Sequence, residues 1–144
     1  MIGLIIVPSL RHFTEREIEM GRDIPASVID NIIPTVRILD ELREVYGKPI
    51  FINSSYRSPE YNKAVKGKPK SLHLMFNAID FSVENRKDLG KLFDILEQWD
   101  AEKNKFDFLP KPNGNMGIGL YSGRFIHLDT RSTLDRTAPA RWRG

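Results

Sequence analysis

Between residues 24 and 46 the apolar side chains Val28, Ile29, Ile32, Ile33, Val36, Leu39, Leu42 and Val45 recur three and four positions apart. That spacing lines one face of a helix. Pro34 lies inside the run, so it either kinks one helix or separates two, because proline lacks the amide donor that a helix interior uses. Gly47 is a natural C-terminal stop. Residues 50–52 read as a short strand, and Ser58-Pro59-Glu60 opens a short helix with Ser58 as its cap. Residues 65–70 form a basic loop. Residues 78–83 alternate and are rich in strand formers. Asn85 caps a helix over about 86–100, with Leu89, Leu92, Phe93, Leu96 and Trp99 on one face. A loop spans 103–115. Residues 116–121 and 124–130 read as a hairpin across Ser122-Gly123, and the basic tail 132–144 as irregular. The apolar run 1–7, closed by Pro8, reads as a first strand or a tucked-in arm and is too short for a secretory signal or a membrane span. These elements predict one α+β domain over residues 1–144, a small antiparallel sheet flanked by helices.

Composition narrows the chemistry. The chain has 144 residues, 40% hydrophobic and 28% charged, enough to bury a core. It has no cysteine, so disulfides and thiolate ligands are excluded and any metal must be held by nitrogen and oxygen. A net charge of +3 favours anionic partners only weakly. The basic residues are spread along the chain without a recognition motif, so neither nucleic acid nor membrane insertion is expected. Synthesis in the cytoplasm and a monomeric state are expected.

Of three histidines, two sit in segments that also carry an aspartate: Ser71-Leu72-His73 through Asp80, and His127-Leu128-Asp129. His73 and Asp80 are seven apart, unlike the helical His-x-x-x-His pattern. They are expected on neighbouring extended segments joined by a turn at Phe76-Asn77. His127 and Asp129, two apart on a strand, point to one face. A lone histidine is more often structural. Two imidazoles and a carboxylate together can hold zinc and leave its fourth position open.

Three ordered motifs carry a resemblance. Ser71, His73, Ala78 and Asp80 match S-x-H-x-x-G-x-A-x-D in register. Upstream, Ser54-Ser55-Tyr56-Arg57-Ser58-Pro59-Glu60-Tyr61-Asn62 matches a S-G-Y-R-S-x-x-Y-N segment. Downstream come Gly117-Ile118-Gly119-Leu120-Tyr121, then His127-Leu128-Asp129-Thr130-Arg131, and a closing Ala140-Arg141-Trp142. Over residues 30–142 the chain resembles the zinc D-alanyl-D-alanine metallocarboxypeptidases, peptidoglycan peptidases that share the hedgehog-domain fold, in a phage-type branch ending in H-x-D-x-R. The resemblance implies Zn2+ held by His73, Asp80 and His127. It makes Asp129 a general base or, alternatively, a partner orienting an imidazole. Arg57 would face the substrate's carboxylate or the developing oxyanion, and Ser71 and Tyr56 would contact substrate. The implied partner is a peptidoglycan stem peptide, cleaved by carboxypeptidase or endopeptidase action at the cell wall, as in a phage lysin or virion component.

Two departures stand out. Phe76 replaces the motif glycine, where it would reshape the pocket or leave Asn77 to take the strained backbone position. Arg124 stands three before His127, where some relatives carry an acid. Phe76 motivates the alternative reading, a metal-holding but catalytically inactive binding module of the same fold.

Overall fold

The computed structural model describes residues 10–144, so the expectation for residues 1–7 lies outside the described residues. Among the described residues four helices, α1 Glu15–Glu19, α2 Ile33–Tyr46, α3 Pro59–Ala64 and α4 Leu89–Ala101, accompany five strands. These are β1 Phe51–Ser54, β2 Ala78–Ser82, β3 Gly117–Tyr121, β4 Phe125–Asp129 and β5 Ala140–Arg143, in sheet order β1-β2-β4-β3-β5. The first four pair antiparallel, and β5 runs parallel to β3. The domain is α+β as expected, but the sheet is mixed, because the tail is not irregular. It makes a 3-10 turn at Arg131–Leu134 and then covers the open edge of β3 as a strand. An uncovered edge leaves a row of unpaired backbone groups, which β5 satisfies.

Proline and glycine set the helix limits. A 3-10 turn at Ile29–Ile32 hands over to α2, and Pro34 sits in its first turn, where a missing amide costs nothing. Gly47 ends α2 at φ 73°, a left-handed position that favours glycine. Ser58 caps α3, its hydroxyl accepting from Tyr61 N at 3.1 Å. Asn85 caps a 3-10 turn that leads into α4, so the α-helix proper starts at Leu89.

Strand alternation divides the sheet into two faces. Ile79 and Phe81 of β2, Ile118 and Leu120 of β3, and Ile126 and Leu128 of β4 join the core with Val36, Leu39 and Leu42 of α2 and Leu89, Leu92, Phe93 and Leu96 of α4. Each such side chain stabilises the fold by roughly 1.5–3 kcal/mol. The intervening residues Asp80, Gly117, Gly119, His127 and Asp129 take the other face. A one-residue slip of β4 would drive His127 and Asp129 into the core, so burial of the apolar set fixes where the polar set stands.

Candidate metal centre

One row across the sheet carries the site. Ser54 of β1 registers with Asp80 of β2, Asp80 with His127 of β4, His127 with Gly119 of β3, and Gly119 with Trp142 of β5. His73 enters from outside the sheet. It lies in a turn over residues 72–76, not on an extended segment. The turn closes like a helix C-terminus: Asn77 N donates to Leu72 O at 3.0 Å, and Phe76 N to His73 O at 3.3 Å. This pairing demands a left-handed residue at position 76. Phe76 adopts it at φ 50°, so the strained residue is Phe76 and not Asn77. Nor does its ring reshape the pocket. It is fully buried in the core, edge-on to Tyr56 at 6.3 Å. Asn77 is instead a strut, donating to Asn31 O and Thr130 Oγ1 and accepting from Thr130 N.

His73, Asp80 and His127 each aim one ligand-capable atom at a common point, all within 4.8 Å of one another. His73 Nδ1 lies 2.7 Å from Ser55 O. A carbonyl only accepts, so Nδ1 carries the proton and Nε2 presents a lone pair. That Nε2 is buried with no hydrogen-bond partner, and its 3.2 Å approach to Asp80 Oδ1 lacks hydrogen-bond geometry. A buried polar atom left unpaired is costly, and a cation at this point would satisfy it. His127 differs in that both its nitrogens meet carboxylates, so without metal Nδ1 carries a proton as well. Nε2 donates to Asp129 Oδ2 at 2.7 Å, which turns Nδ1 toward Asp80 Oδ1 at 3.1 Å. With nitrogen and oxygen donors only, the set suits zinc.

Asp129 is fully buried and takes five hydrogen bonds. Gly117 N, Arg131 N and Arg131 Nε reach Oδ1, and Arg131 Nη2 and His127 Nε2 reach Oδ2. Burial works against its charge, but His127 and Arg131 overcome this and hold its carboxyl below the usual range. Asp80 behaves alike. Burial opposes its ionisation, and the hydrogen bond and charge of His127 lower its pKa well below the usual value. Burial alone would push the His127 imidazole down, yet Asp129 and Asp80 raise it from 6.5 to about 9.

The row floors a groove of about 440 Å³. Arg57 borders it, with Nη2 3.8 Å from Asp80 Oδ2 and Nη1 donating to Asn62 Oδ1 at 3.4 Å. Ser71 lines it as well, its hydroxyl accepting from His73 N at 3.2 Å. Tyr56 does not line the groove. It is buried in the core, edge-on to Phe76. Two contributors had no assigned role in the sequence, Arg131 and Trp142. The Arg two residues after Asp129 and the two glycines of Gly117-Ile118-Gly119 were the available signals. A Cβ on Gly117 would fall 2.6 Å from Asp129 Oδ1 and 2.5 Å from Arg131 Nε.

A family model described as Peptidase M15 matches residues 11–129. Comparison with curated proteins gives no match to this chain.

Proposed function

The chain belongs to the peptidase M15 family of zinc-dependent metallopeptidases, and on that premise we propose that it hydrolyses a peptide bond in peptidoglycan stem peptides. The action is of the D-Ala-D-Ala carboxypeptidase or cell-wall endopeptidase type, as in a phage lysin or virion component. The observation that carries this reading is the buried, unpaired Nε2 of His73 facing Asp80 and His127. His73, Asp80 and His127 hold the metal. Zinc bound there supplies Lewis acidity for the scissile carbonyl and an activated water.

The chain's own residues do the rest. Ser55 O fixes the tautomer of His73 and leaves its Nε2 free, and Asp129 holds His127 through Nε2, so that Nδ1 is the nitrogen a metal would take in place of a proton. Arg57 keeps donors toward the groove, where they fit a substrate carboxylate or the oxyanion that forms during attack. Asp129 orients His127, since its side chain is fully buried and five hydrogen bonds engage both of its oxygens. That enclosure favours a second reading, a binding module that holds zinc without turnover.

Zinc-loaded protein incubated with purified peptidoglycan separates the two. The hydrolase releases fragments whose masses identify the bond cut, and His73→Ala abolishes release. Retention on peptidoglycan with no released fragment would instead establish the binding module.

A further inference from the structure

The family match ends at Asp129, yet a whole wall of the groove is built after it. Trp142 of β5 registers with Gly119 of β3, which registers with His127. A Cβ on Gly119 would fall 2.2 Å from the indole Nε1, so the missing side chain is what lets the indole lie across β3. There its ring centroid is 5.0 Å from that of His127. Nε1 donates to Tyr121 Oη at 2.9 Å, and Tyr121 stacks on Phe125 at 4.4 Å. The indole is thus fixed, its one polar atom satisfied, while it stays only half-buried and borders the groove. A tryptophan so arranged presents an apolar face.

The wall across the centre is cationic. Arg57 lies beside Asp80, and the loop bearing Lys66, Lys68 and Lys70 is tied to it: Asn62 accepts from Arg57, and its Nδ2 donates to Lys68 O at 3.0 Å. Arg136 borders the groove too and donates to Lys70 O at 3.2 Å. The two acids bordering the groove, Asp80 and Asp129, are already engaged, one with the imidazoles and one with Arg131.

We propose that Trp142 is a substrate-seating residue. Its indole, with Tyr121, holds the aliphatic side of a peptide whose carboxylates face Lys66, Lys68, Lys70 and Arg136. That seating holds the peptide in the groove beside His73, Asp80 and His127. The inference rests on the peptidase reading and narrows its substrate to a peptide acidic on one side and apolar on the other.

The test is steady-state kinetics of zinc-loaded protein on stem peptides released from peptidoglycan, with zinc content measured alongside. Trp142→Ala raises KM about tenfold, the equivalent of one lost apolar contact, with kcat and zinc content little changed. Trp142→Phe restores most of the loss, and Gly119→Ala, which displaces the indole, repeats it. The chain has two tryptophans, so in Trp99→Phe protein the emission of Trp142 shifts when peptide is added. A KM that stays at the wild-type value in Trp142→Ala and Gly119→Ala, or an emission that does not respond to a peptide being cleaved, overturns this inference alone. Stem peptides that the wild-type protein neither cleaves nor binds overturn the peptidase reading, and this inference with it.

Discussion

Asp129 and His127 form a pair in which each defines the other's protonation. The carboxylate keeps the proton on Nε2, and Arg131 with Gly117 N keeps the carboxylate ionised. Asp129→Asn preserves an acceptor but removes the charge, so zinc affinity measured by chelator competition is expected to fall about 10–100-fold. Unchanged affinity with abolished turnover would mark Asp129 as the proton acceptor instead. Phe76 makes the opposite kind of compromise, a left-handed backbone accepted for a fully buried ring. Phe76→Gly forfeits about 3–5 kcal/mol of ring burial and recovers about 1–2 kcal/mol of backbone strain, a net loss of roughly 1–4 kcal/mol in urea denaturation. A variant as stable as the wild type would show that burial of the ring is worth no more than the backbone strain it requires. The glycine departure was visible in the sequence. Which residue absorbs it was not, since φ depends on the hydrogen bonds that close the turn.

Elements with a local signature were legible. Most of the α2 face, the α4 face, the caps Ser58 and Asn85, the stop at Gly47 and the β3–β4 hairpin follow from residues close in sequence, although Val45, expected on the apolar face of α2, is exposed and Ile38 is buried in the core instead. What escaped depends on distant partners. Nothing in Ala140-Arg141-Trp142-Arg143 announces a parallel pairing with β3, and nothing near Tyr56 reveals that Phe76 will meet it in the core. His73 fell on a turn because hydrogen bonds from residues 76 and 77 curl the segment back. The glycines of β3 belong to this scale as well, since they admit side chains from the neighbouring strands. Gly117→Ala places a methyl group against Asp129 and Arg131. Such overpacking is expected to cost about 1–3 kcal/mol and to weaken zinc binding together with stability. Weakened stability with zinc affinity untouched would separate the strand from the site.

For the molecule as a whole the site is a store of charge that pH can release. His127, raised from 6.5 to about 9, stabilises the zinc-free fold fully below pH 6.5, and this contribution is lost as pH climbs to about 9. Asp80 and Asp129, held below 3.8, add stability that is present above that value and lost on acidification. Thermal melts of chelator-treated protein should therefore peak between about pH 4 and pH 6.5 and fall toward pH 9. A melting temperature that rises over that alkaline range would contradict the assignment of His127 to Asp80 and Asp129. Zinc competes with the proton on His127 Nδ1, so affinity for the metal should rise with pH over the same range. The central claim is that His73, Asp80 and His127 form one metal centre. Its most direct test is metal content by mass spectrometry on protein purified without added metal, beside His73→Ala. A single three-ligand site should hold about one zinc per chain, lost in the variant. No zinc in the wild-type protein, with no rise in melting temperature when zinc is added, would contradict it.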